Sequence, residues 1–574
     1  MRSRKPLTLA ALALVPLALY ARVATFDFVQ ADDTDLIRGN ISFLQNLRNV
    51  PEAFARSYFD VEGQPSGRKT YYRPFVIVSF MVDAQVRGAD PRVYHVTNVL
   101  LHVVCVLLLF TLLRILCRPG PAEAGRYGNW GNGPGEASAL ALALLFAVHP
   151  ANVQAVAWIP GRNDTLMAAL ALASLIAFLQ YYFAPGPHPQ RLPRLADARR
   201  AGSRTDAGSQ HRETADRVWL ALHVAAFAAA LFTKESALAL PIVVALLARA
   251  VPVKRRRAGP LRSALVADAI VVAVWFVMRR RALMDGDPTS GSAMFAALAG
   301  NARDMLLYAG KMVLPLHLNV MPGLTRVDIA LGVVSLLLLG WLLFRLTPRW
   351  RWLVAGWVLL FLIPALTIPG LPAYEHRLYF PLIGVITGMS QLSIWANPSR
   401  RSLAIAATVC VLFAGLSFAH SGAFRNRYTY WESATTGTSH AGLAHVNLGQ
   451  IAESDGDPSR AAEHYRAALA ADPSTPGAHN NLGILAARRG DPDEARAEFH
   501  REVERHPANA DAYFNLGLIE KFSNRVDEAA SWWQRAVAAD PRHLAAHEEL
   551  AAYYAAKGDA ARAARHRDAA RGVR

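Results

Sequence analysis

The stretch NLGQIAESDGDPSRAAEHYRAALAADPSTPGAHNNLG, residues 447–483, opens and closes on the same three residues, 34 positions apart. Asn515-Leu516-Gly517 continues the spacing. So do Tyr465, Phe499 and Trp533, then Ala461, Ala495 and Ala529, then Pro473, Pro507 and Pro541. A fixed period of this length marks one supersecondary unit stacked on copies of itself. Small residues let two helices approach, the aromatic fills the gap between them, and the proline ends the unit.

This is the tetratricopeptide pattern, and it predicts an all-α solenoid over residues 442–574. The units fall at 442–475, 476–509 and 510–543. A degenerate fourth at 544–574 has Ala551 in place of the glycine and no aromatic at the matching position, as expected of a cap. Asn447, Asn481 and Asn515 keep the same period. They are candidate peptide-binding residues, since stacked amides each offer a donor and an acceptor to an extended backbone. Equally, asparagine there suits a polar contact between helices. Such an array supports binding of a polypeptide, not catalysis.

Upstream the composition changes. The chain is 53% hydrophobic and only 18% charged, which excludes an ordinary soluble protein. The apolar residues collect between residues 6 and 420 in blocks of roughly 17–22, long enough to cross a hydrocarbon core of about 30 Å. Residues 1–420 therefore read as a polytopic helix bundle with a first external loop at 25–92, and 421–441 as a linker. Eleven spans are expected, at about 6–24, 95–115, 138–158, 165–184, 217–233, 236–252, 263–279, 328–346, 352–369, 378–395 and 402–420. Residues 302–320 carry Arg303, Asp304 and Lys311 and read as a surface or re-entrant segment. The loop 25–92 is expected to hold short amphipathic helices, for example around Ile41–Ala55.

The net charge of +17 does not indicate nucleic acid, because the Lys and Arg residues sit in short loops between apolar blocks. Arg2, Arg4 and Lys5, six arginines between 191 and 212, Lys254 to Arg257, Arg349 with Arg351, and Arg400 with Arg401 all fall on one side when eleven spans are drawn. The positive-inside rule then makes the N-terminus cytoplasmic. An odd number of spans places the repeats on the opposite, external face together with loop 25–92. The basic N-terminus and the run Pro6–Ala24 read as an uncleaved first span rather than a signal peptide. Cys105, Cys117 and Cys410 have neither metal-ligand nor disulfide spacing.

Polar residues that could carry chemistry gather at the external ends of these spans. Asp32 and Asp33 follow the first, where a membrane boundary raises a carboxyl pKa and favours general-base work. Arg73 ends loop 25–92. His95, Asn98 and His102 share one face of the second span. His149 and the group Arg162-Asn163-Asp164 follow the third, Lys234-Glu235 the fifth, and Glu375-His376-Arg377 the ninth. Each alone reads as an interfacial ion pair or a snorkelling side chain. Together they outline one external pocket.

These segments resemble the transmembrane and tetratricopeptide-repeat O-mannosyltransferases, of the GT-C group of polyprenyl-phosphate-dependent glycosyltransferases, in a bacterial-type form. The resemblance rests on Asp32-Asp33, YYRPF (71–75), VYHVTNVLLH (93–102), ALLFAVHPANVQAVAWIPGRND (143–164), FTKESALALP (232–241) and YEHRLYFPLIG (374–384). One departure is Gln154, where the family usually has a glutamate four residues after the proline of its His-Pro motif.

The resemblance implies transfer of a mannose-like sugar from a polyprenyl-phosphate donor to a protein hydroxyl on the external face of a bacterial plasma membrane. Asp32 or Asp33, with a slight preference for Asp33, takes the acceptor proton. Arg377, with Lys234 or Arg162, clamps the departing lipid phosphate. Arg73, His95, His102, His149, Glu235, Glu375 and His376 line the pocket. No metal and no cofactor beyond the lipid-linked donor is expected, because a lipid monophosphate leaves with modest charge. The repeats hold the acceptor or a partner protein. The alternative is a non-catalytic, membrane-anchored repeat scaffold for envelope protein assembly. A polysaccharide ligase or polymerase would place its long external loop late in the chain, and a transporter would show paired broken helices.

Overall fold

The computed structural model describes residues 4–60, 71–116, 134–183, 198–251, 258–283, 291–368, 373–436, 438 and 440–573. Arg2, Cys117, Arg191, Arg194 and the basic run 254–257 lie outside the described residues. The chain forms two compact units, Met1–Tyr430 and Trp431–Arg574, and the boundary falls inside the expected linker.

Every regular element among the described residues of the first unit is a helix. Eight helices there have the length and apolar character to cross a membrane: Leu7–Thr25, Pro91–Leu116, Ile159–Phe183, Thr214–Thr233, Gly259–Ala282, Arg326–Arg345, Pro348–Leu366 and Arg400–Phe424. A ninth is a pair, Gly135–Ala147 and Pro150–Ala157, bent by 53°. The bend has a local cause. Pro150 supplies no N–H, and the His149 imidazole accepts the Ala151 N–H in place of a helical carbonyl.

Two of the eleven expected spans are shorter than sequence reading suggests. Residues 236–252 hold the 11-residue helix Leu240–Ala250 behind a 3₁₀ turn, and residues 378–395 the 11-residue helix Tyr379–Met389. An 11-residue helix rises about 16 Å, roughly half the hydrocarbon thickness. In the segment 302–320 the helix Asp304–Val313 buries Leu307, Tyr308, Lys311 and Met312.

Loop 25–92 is folded, not extended. The short helices expected near Ile41–Ala55 are Ile41–Leu44 and Val50–Ala53, separated by a 3₁₀ turn, with Pro51 in the first turn of the second. Both pack with the helix Pro74–Arg87 around Phe28, Leu36, Phe43, Val76 and Phe80.

The second unit is four helix pairs: Ala441–Ser454 with Pro458–Ala471, Ala478–Arg488 with Pro492–Arg505, Ala510–Phe522 with Val526–Ala539, and Leu544–Ala556 with Ala560–Val573. The repeated glycine exists because the repeated aromatic lies on it. A Cβ at Gly449, Gly483 or Gly517 would fall 2.3, 2.6 or 2.3 Å from Tyr465, Phe499 or Trp533. The fourth pair has Arg567 in the aromatic position, so Ala551 fits there. A further period appears in the turn between the helices of each pair. Gly456, Gly490, Asn524 and Gly558 have φ of 80°, 81°, 61° and 78°, a conformation that glycine and asparagine tolerate best.

Candidate functional site

Several of the flagged groups converge where loop 25–92 meets the helix ends of the first unit. The helix Arg162–Phe183 carries Asp164 in its first turn, and Asp164 Oδ1 takes a 2.6 Å hydrogen bond from Lys234 Nζ. Its other oxygen lies 4.0 Å from His376 Nε2. Burial pulls the Lys234 ammonium down from its usual range, and the Asp164 carboxylate works against that pull. Next along the chain, Glu235 accepts the Tyr72 N–H at 2.8 Å and Arg73 Nε at 3.1 Å. Arg73 also lies over the rings of Tyr58 and Tyr71. Arg377 donates to the Tyr308 hydroxyl at 3.2 Å.

Burial, then the positive charges of Lys234, Arg377 and Arg73, push His376 well below its usual range. It is therefore a neutral imidazole at pH 7. Its ring stacks on Tyr374, 5.4 Å between centroids, and both lie against Trp158. Three cations thus surround two carboxylates and a neutral histidine.

The acidic pair is tied to this cluster through Trp158, whose indole donates to the Ala31 carbonyl at 3.0 Å. Asp33 is buried, and its two oxygens accept the Val29 and Ala31 N–H groups at 2.8 and 3.1 Å. Burial pushes its carboxyl up to about 7, against those two donors. Asp32 is half-buried and held at φ 69°, rare for a non-glycine residue. Its charge is felt by the phenols of Tyr58 and Tyr430.

Other flagged residues are interior structure. Arg162 is fully buried. It pairs with Asp83 at 2.6 Å and donates to Asn98 Oδ1 and the Tyr94 carbonyl. A guanidinium with that many partners does not turn to a phosphate. His102 bridges Tyr379 and the Ala147 carbonyl. His149 serves the bend, and His95 packs edge-on to Phe26. Glu375 is buried against Lys311 at 2.6 Å and His420 at 2.9 Å, and accepts the Asn319 N–H. Burial pushes Glu375 up, but the charges of Lys311 and His420 outweigh it and hold the carboxyl at about 2.

Gln154 uses both ends of its amide. It accepts the His376 N–H at 3.1 Å and donates to the Val320 carbonyl at 3.1 Å. A glutamate could accept but not donate. Here the residue at the departing position holds the His376 backbone.

In the repeats Asn447, Asn481 and Asn515 are all partly exposed, and their bonds differ. Asn447 donates to the Leu443 carbonyl one turn back, Asn481 approaches Asn480 at 3.5 Å, and Asn515 donates to Asn480 at 2.9 Å.

Sequence reading did not single out Tyr308, His420 or Trp158, and it read Lys311 only as a reason to deny a span. The signal for Lys311 was a cation inside an apolar helix, which demands a partner. Trp158 gave none, because tryptophan is ordinary near membrane surfaces.

A tetratricopeptide-repeat family model matches residues 429–476, 446–505 and 480–532. The chain is 29% identical to the protein O-mannosyl-transferase Tmtc1 of Drosophila melanogaster over 174 residues, 30% of this chain and 18% of that one. It is 30% identical to human protein O-mannosyl-transferase TMTC2 over 165 residues, 29% of this chain and 18% of that one. Mouse TMTC4 is 30% identical over 169 residues, 29% and 22% of the two chains. The matches thus span about a fifth of the relatives' length, and over that share the chain is homologous to the TMTC proteins. Among solved structures, MamA aligns at 20% identity over 25% of this chain and 84% of that one, TM-score 0.22. The Cut9–Hcn1 assembly aligns at 15% identity over 79% and 88%, TM-score 0.25. Scores this low say nothing further about the chain.

Proposed function

We propose that this chain is an integral-membrane glycosyltransferase that moves a mannose-like sugar from a polyprenyl phosphate to a protein hydroxyl outside the cytosol. The observation that carries the reading is the convergence of Arg73, Lys234 and Arg377 around Asp164 and His376, tied through Trp158 to the Asp32–Asp33 loop. Cations grouped at the ends of membrane helices suit a lipid phosphate. The homology to protein O-mannosyl-transferases supplies the sugar and the acceptor class.

The contacts support one sidedness. Lys234 meets Asp164 and His376 approaches it, so residues 234 and 376 share a membrane face. Three long helices separate them, and an even number of crossings is needed. On this reading the short helix Leu240–Ala250, extended by the 3₁₀ turn Glu235–Ala239, supplies the fourth. Likewise the Asp27 N–H donates to the Arg425 carbonyl, so the same reading has Tyr379–Met389, extended by the 3₁₀ turn Glu375–Leu378, cross before Arg400–Phe424 returns. The eight long helices, the bent pair and these two make eleven. If the N-terminus is cytoplasmic, as the positive-inside rule expects, this reading puts loop 25–92, the cation cluster and the repeats outside, in the periplasm of a bacterial plasma membrane.

In the reaction the acceptor hydroxyl oxygen bonds to the anomeric carbon while the bond from that carbon to the phosphate oxygen breaks. The phosphate keeps the electron pair, and direct displacement inverts the anomeric centre. The preference passes from Asp33 to Asp32, because both Asp33 oxygens already accept backbone N–H groups: Asp32 accepts the hydroxyl proton, while Asp33 shapes the loop through Val29 and Ala31. Lys234, Arg377 and Arg73 stabilise the departing phosphate, and Arg162 holds the scaffold. Tetratricopeptide units bind polypeptides, and these hold the acceptor or a partner protein. The test is hexose transfer by the purified chain in lipid nanodiscs supplied with polyprenyl-phosphate mannose. Asp32→Asn lowers the rate about 10²–10⁴-fold if that carboxylate is the general base. Unchanged transfer removes Asp32 from the chemistry, and no transfer by the unsubstituted chain favours the scaffold reading.

A further inference from the structure

Deep in the first unit, far from the cation cluster in sequence, three polar side chains meet inside the helix bundle. Ser174, His223 and Asp268 are buried at 0, 0 and 1% exposure. They come from the helices Ile159–Phe183, Thr214–Thr233 and Gly259–Ala282, all of membrane-crossing length. His223 Nδ1 lies 2.8 Å from Ser174 Oγ and 3.1 Å from the Ser174 carbonyl. Its Nε2 lies 3.3 Å from Asp268 Oδ1. An ionisable group at mid-helix in a membrane needs a partner and a reason.

Hydrogen bonding sets the first contact. A carbonyl oxygen only accepts, so the Ser174 carbonyl receives the His223 Nδ1–H, and the Ser174 hydroxyl donates to the His223 carbonyl at 3.2 Å. His223 Nε2 and Asp268 Oδ1 stand at ion-pair distance without hydrogen-bond geometry, and both are buried with no hydrogen-bond partner in the structure. Separating them would leave each alone in an apolar interior.

The placement gives the cluster its role. Ser174 stands ten residues along the helix from Asp164, and His223 eleven residues before Lys234. The same two helices therefore touch twice, once through Asp164–Lys234 at the external end and once through Ser174–His223 below it. We propose that Ser174, His223 and Asp268 are positioning residues, a polar clamp inside the bilayer that sets the register of the helix carrying Asp164 against the helix carrying Lys234. Asp268 ties the third helix to His223 and keeps the imidazole from turning away. The proposal rests on the donor-site reading only in giving Lys234 a phosphate to meet.

Two measurements on the full-length chain in nanodiscs test it. The first is alkylation of Thr233→Cys, a fully buried position beside Lys234, scored by mass spectrometry on that peptide. Adding Asp268→Leu or His223→Leu speeds alkylation about tenfold, whereas Asp268→Asn, which still meets the imidazole with a polar neutral group, leaves it slow. Equal rates in all backgrounds overturn the clamp, whatever the chain binds.

The second is binding of decaprenyl phosphate. Asp268→Leu weakens it about tenfold alone and adds nothing in a Lys234→Met background, because both act through one contact. Additive losses overturn the coupling to Lys234. No binding by the unsubstituted chain overturns the donor-site reading and leaves the alkylation result to decide the clamp.

Discussion

The membrane unit and the repeat unit bury polar and aromatic groups by opposite means. In the repeats one solution is copied: a glycine on the first helix faces an aromatic on the second, three times at a spacing of 34, and a left-handed turn recurs four times. Among the described residues of the membrane unit the buried ion pairs do not repeat. Arg162 with Asp83, Lys311 with Glu375 and His420, and His223 with Ser174 and Asp268 are separate solutions, each joining segments distant in sequence. Copied contacts fail gradually, since a solenoid's stability is near a sum over neighbouring units. Unique buried pairs fail outright when one partner goes, because the other charge is left without compensation.

That contrast orders the expected effects. Lys311→Met leaves buried Glu375 with His420 and the Asn319 N–H but no lysine, and costs about 3–5 kcal/mol. Thermal melting of the detergent-solubilised chain measures the loss. The pH dependence changes as well. Glu375 is held at about 2, below its usual 4.5, so its contribution is present above 4.5 and is lost as pH falls through about 2. In Lys311→Met that acid-side loss shrinks and shifts upward in pH. An unaltered acid limb of the stability profile would contradict the pairing.

Gln154→Glu sharpens the comparison within the site. The carboxylate can accept the His376 N–H, but it cannot donate to the Val320 carbonyl, a loss of about 2–3 kcal/mol. If the family's glutamate works here instead, the same change raises hexose transfer rather than lowering stability.

In the repeats Gly517→Ala drives a methyl group into Trp533 and costs about 1–2 kcal/mol. Ala551→Gly in the last unit, where no aromatic presses, costs about 0.5–1 kcal/mol through backbone entropy alone. Equal costs at the two positions would break the picture of a copied glycine–aromatic contact. Smallest is Arg488→Ala. It removes a 2.8 Å pair with Glu453 from a side chain that is 67% exposed, and changes stability by about 0–1 kcal/mol.

Legibility followed the same division. The repeats could be read because the contact and the spacing are one fact: Tyr465, Phe499 and Trp533 announce the glycines they cover. The fold class and the resemblance to the O-mannosyltransferases were also legible, since apolar block length and ordered motifs are local properties. Roles inside the membrane unit were not. Arg162 and Lys234 look alike in sequence, cations next to helix ends. Only the fold shows that Asp83, Asn98 and the Tyr94 carbonyl surround Arg162, while Lys234 meets a single carboxylate. Short helices were misjudged in length for a similar reason. The apolar runs around Leu240–Ala250 and Tyr379–Met389 continue past the helices, and hydropathy does not record where backbone hydrogen bonding stops.

The account stands on sugar transfer outside the cytosol by the Asp32–Asp33 loop and the nearby cations. Mass spectrometry of secreted and membrane proteins, from cells carrying the unsubstituted chain or Asp32→Asn with Lys234→Met, tests it most directly. Hexose on serine and threonine residues of the same peptides, present with the first and missing with the second, is the result predicted. Identical modification in both, or none in either, would contradict it.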